Sequence, residues 1–273
     1  MRIGSKEFDT KNHTYIMGIL NITPDSFSDG GKYNALDTAL FRVEEMLKEG
    51  MDILDIGGES TRPGYTQISE EEEMARVTPV IEAVKGRFEV PISLDTYKGA
   101  VAEAGIKAGA DLINDIWGLQ YDEHMGKIIA DSGVACCLMH NRKEADYNSF
   151  MEDMAADFAR ILHRAESAGI SREKIILDPG VGFGKTYEQN LTAIGQLQKL
   201  QALGYPILLG TSRKSVIGLT LEVPPQERVI GTVVTGVFGI LQGCSFLRVH
   251  DIKAHAEAIK MTEAILRQGG LAP

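Results

Sequence analysis

The chain has 273 residues, of which 44% are apolar, and a formal net charge of -10. The length suits one barrel domain of about 250 residues spanning 1–273, and the acidity argues against a general nucleic-acid or anionic-membrane surface. No run approaches the ~20 apolar residues of a membrane span, and the opening MRIGSKEFDT lacks the apolar stretch of a signal peptide, so a cytoplasmic protein is expected.

Residues 1–14 are polar and read as a hairpin or cap across the bottom of a barrel. Eight short apolar runs follow, at 15–21, 53–59, 91–95, 112–115, 134–140, 174–178, 206–214 and 244–250, and nearly all end in a polar or charged residue. Segments of helical periodicity separate most of them. A first helix is expected over 35–49, stopping at Gly50. A second opens with Ser69 and Glu72 at capping-box spacing and buries Met74, Val77, Ile81 and Val84. A third covers 98–108. The fifth carries the stripe Phe150, Met154, Phe158, Ile161 and Ala165, and the sixth the stripe Leu191, Ile194, Leu197 and Leu200. Pro224 and Pro225 precede a Gly-rich seventh, the last spans 253–266, and the tail 268–273 frays. Eight strand–helix units predict an α/β fold, a (β/α)8 TIM barrel with an N-terminal hairpin or cap. Its active site belongs at the C-terminal strand ends, where two long loops, 23–34 and 60–68, have the composition of loops that close over a substrate, one that ordinary surface loops share.

Cys136 and Cys137 are neighbours in one apolar run, so strand alternation points them to opposite faces; with Cys244 they read as reduced core residues. No CxxC, HExxH or Ser-His-Asp arrangement is visible, and His13, His124, His163 and His255 read as surface or packing residues.

Asp95, Asn114 and Asp178 end the third, fourth and sixth strands. One such residue alone would more often cap a helix or pair with a Lys or Arg. Three on one rim can read a flat heterocycle, because a carboxylate matches an amino group beside a ring N–H as it matches a guanidinium. Such a pocket can reject an analogue lacking the donors by about 10^4-fold. Lys214, Arg248 and His250 end the seventh and eighth strands and supply positive charge where barrels often bind phosphate; Arg248 can also stack on a ring. The segment 178–186 (DPGVGFGKT) fits neither a P-loop nor a dinucleotide fingerprint. It reads as a tight turn bringing backbone near a ligand, with Phe183 offering a face.

The runs NITPDSFSDGG at 21–31, DIGGESTRPG at 55–64, GTSRKS at 210–215 and RVHD at 248–251 resemble four signatures of the bacterial dihydropteroate synthase family, among pterin-binding TIM barrels. Gly184 stands where many members have Ala, and the segment 232–243 is less Ala-rich than in many of them. The resemblance implies a folate-pathway transferase that joins 4-aminobenzoate to (7,8-dihydropterin-6-yl)methyl diphosphate, releasing pyrophosphate. It implies a pterin held by Asp95, Asn114, Asp178 and Lys214, with Arg248 stacked over the ring and Met139 beneath it. Asn21 would contact Mg2+ on the diphosphate, and Arg248 and His250 would hold phosphates. Phe27, Thr61, Arg62, Pro63, Phe183 and Ser215 would shape the aminobenzoate pocket, where sulfonamides would compete. The implied assembly is a homodimer through the late helices. The chemistry itself favours a dissociative path: the aromatic amine is already unprotonated, and an electron-rich dihydropterin can support the cation left by the diphosphate. Asp29, Arg62 and Lys214 are the expected catalytic residues, with Asp29 facing the developing cation. Two rivals share such a pocket: a methyltetrahydrofolate–corrinoid methyltransferase, which would lack the first-loop signature, and a non-catalytic pterin-binding protein, which would have lost the loop residues.

Overall fold

The computed structural model describes residues 1–22, 32–59 and 66–270. Phe27, Asp29, Thr61, Arg62 and Pro63 lie outside the described residues, as do most of the two long loops.

Two-residue strands β1 (Arg2–Ile3) and β2 (Lys6–Glu7) pair antiparallel as the expected hairpin. The eight apolar runs become parallel strands: β3 (Tyr15–Asn21), β4 (Ile53–Gly57), β5 (Ile92–Asp95), β6 (Leu112–Asp115), β7 (Ala135–Met139), β8 (Ile175–Asp178), β9 (Leu208–Leu209) and β10 (Phe246–Val249). β4 to β8 are buried along their whole length, as parallel strands covered on both faces must be. The sheet order is β8-β7-β6-β5-β4-β3-β10-β9, and a parallel bridge between Leu177 and Ile207 closes β8 onto β9. The result is the predicted barrel.

Alternation sorts each strand between two cores. Cys137 points inward with Met17, Ile53, Leu112, Ala135, Ile176, Leu208 and Phe246, and Ile3 and Phe8 of the hairpin plug this layer. Cys136 points outward into the apolar shell between strands and helices. All three cysteines are free and buried, as expected. The barrel floor is therefore apolar, while the inward side chains toward the C-terminal strand ends are Asp55, Asp95, Asn114, Asp178 and Arg248.

The helices are α1 (Lys32–Glu49), α2 (Glu70–Arg87), α3 (Gly99–Ala108), α4 (Met125–Ser132), α5 (Phe150–Ala168), α6 (Tyr187–Gly195), α7 (Gln198–Gln201), α8 (Ser215–Leu221), α9 (Val229–Leu241) and α10 (Ile252–Gln268). Ser69 caps α2 by accepting from the Glu72 amide, and Val77, Ile81 and Val84 are buried beneath it. Met154, Phe158, Ile161 and Ala165 of α5 form the predicted buried stripe.

Two elements differ from the sequence expectation. The sixth helix breaks after Gly195, so one continuous stripe does not exist; Asn190, Ala193 and Ile194 face inward while Leu191 is 41% exposed. The seventh strand is only Leu208–Leu209, and Lys214 stands instead at the N-cap of α8, reached through the turn 210–213. A short helix, α8, thus precedes Pro224 and Pro225, and the Gly-rich α9 follows them. Gly231 on α9 lets it pack against α8, since a Cβ there would lie 2.4 Å from the Ile217 side chain. Among the described residues, no helix is long and apolar enough to cross a membrane.

Candidate active site

Strand register gathers the predicted residues at one mouth. Asn21 pairs with Gly57, Gly57 with Asp95, and Asp95 with Asn114 across β3 to β6; Met139 pairs with Asp178 across β7 and β8. Gly57 leaves a gap in this ring: a Cβ there would lie 3.7 Å from both Asn21 Oδ1 and Asp95 Cβ. Gly210 leaves another, within 3.6 Å of Asp178 Oδ2 and 3.9 Å of Arg248 Cβ. Missing side chains at two points of a crowded rim make room for a ligand.

Arg248 lies among the acids. Its Nε donates to Asp55 Oδ2 at 2.7 Å and its Nη2 to Asp95 Oδ2; Ser93 Oγ donates to Asp55 Oδ1 at 2.5 Å. Burial works against the Arg248 charge, and Asp55 and Asp95 outweigh it, so the guanidinium stays firmly cationic. Asp95 is 7% exposed, and its Oδ1 is buried without a hydrogen-bond partner. Burial pushes its carboxyl up to about 7, with Arg248 opposing and Asp55 adding to the rise. A buried carboxylate oxygen without a donor is poised to take one from a ligand. Asp178 is held differently: its Oδ1 accepts from the Gly180 amide at 2.7 Å, and burial raises its pKa while Lys214 opposes the rise.

Lys214 Nζ donates to the Val181 carbonyl and sits 4.5 Å from the centroid of the Phe183 ring. Burial lowers its pKa to about 8, against the pull of Asp178. Met139 joins Tyr97, Ile116, Trp117 and Phe183 in an apolar wall beside the acids. Asn21 is exposed at the end of β3, and Ser215 is exposed on the first turn of α8.

Arg248 and His250, expected together at the end of the last strand, reach different partners. β10 ends at Val249; Arg248 reaches inward to the carboxylates, whereas the His250 Nδ1 lies 2.9 Å from Ser212 Oγ. The glycine turn after β8 is tight, as expected. Gly180, with φ of +67°, would place a Cβ 2.0 Å from the His140 carbonyl, and Gly184 one 2.2 Å from that of Arg142. Those glycines let the neighbouring backbone approach closely.

Sequence reasoning missed Asp55, Ser93 and Trp117 as neighbours of this mouth. Asp55 had a signal, since period-2 alternation from Ile53 puts it on the inward face, in register with Ser93. It also missed a wholly buried cluster next to the second loop. Lys98 Nζ donates to Glu59 Oε2 at 2.8 Å, Glu73 Oε2 at 2.7 Å and the Ile68 carbonyl at 2.8 Å, and the Tyr97 hydroxyl donates to Glu59 Oε1 at 2.5 Å.

A parallel barrel whose mouth combines buried carboxylates, an amide, two cations and an apolar wall fits the class of pterin-binding enzymes, and residues 17–250 match the family described as pterin binding enzyme. A dihydropteroate synthase of Clostridium beijerinckii is 57% identical over 269 residues, 98% of this chain and 100% of that one. The crystal structure of the Clostridium difficile enzyme in the presence of pteroic acid superposes with a TM-score of 0.93 at 49% identity, covering 96% of this chain and 100% of that chain. The Yersinia pestis enzyme in complex with a sulfonamide drug superposes with a TM-score of 0.91 at 43% identity, covering 98% and 99%. The chain belongs to the dihydropteroate synthase family of transferases.

Proposed function

We propose that this chain, as one domain, condenses 4-aminobenzoate with (7,8-dihydropterin-6-yl)methyl diphosphate to give 7,8-dihydropteroate and pyrophosphate. The observation that carries the reading is the unpartnered buried Oδ1 of Asp95, set beside Asn114, Asp178 and the cationic Lys214. In this reading Asp95 and Asp178 accept from the 2-amino group and ring N–H of the pterin, and Asn114 and Lys214 serve its remaining edge. Met139 and Ile116 cover a ring face. Arg248 stacks on the ring and, with His250, draws the diphosphate; its present pairing with Asp55 and Asp95 keeps it charged in a buried site.

The reaction breaks the C–O bond to the diphosphate and forms a C–N bond to the amine, whose proton passes to solvent. The neutral amine needs no strong base, so the residues act mainly by positioning and by charge stabilisation. Phe183 and Ser215, with Phe27, Thr61, Arg62 and Pro63, form the aminobenzoate subsite, and Asp29 steadies the developing cation. The same subsite takes sulfonamides as competitors; the complexes of the relatives with pteroic acid and with a sulfonamide drug support this reading.

Mg2+ bound mostly through substrate phosphates and water would need few protein ligands. Among the described residues no group of three His, Cys, Asp or Glu side chains could hold a metal, whereas the Asn21 amide oxygen stands at the strand end that faces the mouth. Asn21 would hold Mg2+, which would supply charge neutralisation on the leaving diphosphate.

The same reading includes a homodimer through the late helices. Ile230, Val234, Phe238 and Leu241 line one side of α9 and are 47–76% exposed, and the adjoining α10 exposes Met261 and Ile265, apolar side chains suited to a second copy. Three buried thiols outside any disulfide support a cytoplasmic setting. The test is to mix the purified chain with the pterin diphosphate, 4-aminobenzoate and Mg2+ and follow pyrophosphate. Release that requires both substrates is the expected result, and no release above background overturns the assignment.

A further inference from the structure

The turn between β8 and α6 is secured by a polar chain that the proposed reaction does not use. Gly180, Gly182 and Gly184 take φ of +67°, +87° and +53°, so this segment has little stiffness of its own. Lys185, at its end, folds its side chain back against it. The Lys185 Nζ donates to the Phe183 carbonyl at 2.9 Å and the Gly180 carbonyl at 3.0 Å, and lies 3.0 Å from His140 Nδ1. The other His140 ring nitrogen, Nε2, is 2.8 Å from Asp157 Oδ2, which also accepts from Arg142 Nε at 2.7 Å. Arg160 holds the second Asp157 oxygen.

This arrangement fixes who donates. Asp157, paired with two arginines, is a carboxylate held well below the usual range through its bonds to His140 and Arg142, which outweigh burial. It can only accept, so the His140 proton sits on Nε2 and Nδ1 turns its lone pair toward Lys185. Burial keeps the imidazole neutral, with a pKa near 4. All three protons of the Lys185 ammonium then have acceptors. Burial also lowers its pKa to about 7, and a neutral amine would still carry two N–H groups for the two carbonyls.

The turn so held carries Phe183, whose ring faces Lys214 Nζ, and the Val181 carbonyl to which Lys214 donates. We propose that Lys185 is a positioning residue: by tying the Gly180 and Phe183 carbonyls to the His140–Asp157 pair, it fixes the Phe183 ring for the amine substrate. This rests on the synthase reading above. Removing the clamp leaves Asp178 on its strand, so the amine substrate should suffer more than the pterin.

The experiment compares Lys185→Met, Lys185→Arg, Phe183→Leu and the double variant Lys185→Met/Phe183→Leu with the wild-type chain. Wild-type turnover is measured first; its absence would overturn the synthase reading and leaves fluorescence of Trp117, the single tryptophan, to report turn disorder in Lys185→Met. With turnover present, Lys185→Met is expected to raise KM for 4-aminobenzoate about tenfold, as a small misplacement does, while pterin affinity stays within about twofold. Lys185→Arg should restore most of the loss. Because the effect runs through Phe183, the double variant should be no worse than Phe183→Leu alone. Equal losses for both substrates, additive losses, or a Lys185→Met enzyme with wild-type KM would each overturn the inference. If Lys185→Met does not fold, Asp157→Asn, which loosens His140 and keeps the lysine, should show the same selective rise in KM; an unchanged KM there overturns it.

Discussion

Replacing Asp95 by Asn separates what the pterin pocket gains from what the fold loses. Asp95 gives one oxygen to Arg248 and leaves the other buried without a donor. If a pterin donates to that oxygen, the bond is charge-assisted, and its loss costs about 1.5–3 kcal/mol, or roughly 10- to 150-fold in Kd. The fold should not suffer in the same way, because Arg248 keeps its bond to Asp55 at 2.7 Å and is not left as an uncompensated buried charge. Stability should instead shift with pH in a defined direction. Burial raises Asp95 to about 7, so between about pH 4 and pH 7 the folded protein holds a proton that the unfolded chain has released. The stability from this group is full below about pH 4 and is lost as pH rises through about 7. The variant has no such loss, so its Tm relative to wild type should climb between about pH 5 and pH 7.5. Calorimetric titration with a dihydropterin gives the affinity, and thermal melts across that range give the stability. A Kd within threefold of wild type, or a relative Tm that falls as pH rises, would refute the reasoning.

Lys98→Met should strand two buried carboxylates, Glu59 and Glu73, at a cost of about 3–5 kcal/mol, and so lower Tm by on the order of 10 °C; a melt within 2 °C of wild type would show that the cluster is not coupled to folding. Gly180→Ala must relieve a Cβ placed 2.0 Å from the His140 carbonyl at φ of +67°, so its urea midpoint should fall by an amount equivalent to at least about 2 kcal/mol, and an unchanged midpoint would contradict the turn geometry. Phe238→Glu puts charge into the exposed row on α9, and sedimentation should show a shift from dimer to monomer with the fold intact; a monomeric wild-type chain would remove the basis for the proposed dimer.

The barrel was legible because its strands are short apolar runs with polar ends, and the inside–outside split of Cys136 and Cys137 followed from alternation alone. Legibility failed where the backbone leaves its period. Leu191 belonged to an apparent stripe only if α6 continued past Gly195, and Lys214 to a strand only if β9 ran five residues further than it does. Asp95 and Asp178 were readable because each ends its run, and Asn114 because it stands one residue before Asp115, which ends β6. Lys98, Glu59, Glu73, Lys185, His140 and Asp157 were not, since their partners lie 17 to 45 residues away and depend on how adjacent crossovers pack. The direction of the Arg248 guanidinium was hidden for a related reason: the sequence placed it on a strand end, and only the register with Asp55 and Asp95 shows where its charge goes.

A crystal structure of this chain with a bound dihydropterin tests the central claim most directly. The account predicts the ring at the C-terminal mouth of the barrel, with a pterin N–H within hydrogen-bond distance of Asp95 Oδ1 and with Asp178, Asn114 and Lys214 around its edge. A pterin bound elsewhere, with Asp95 Oδ1 still lacking a donor, would contradict it.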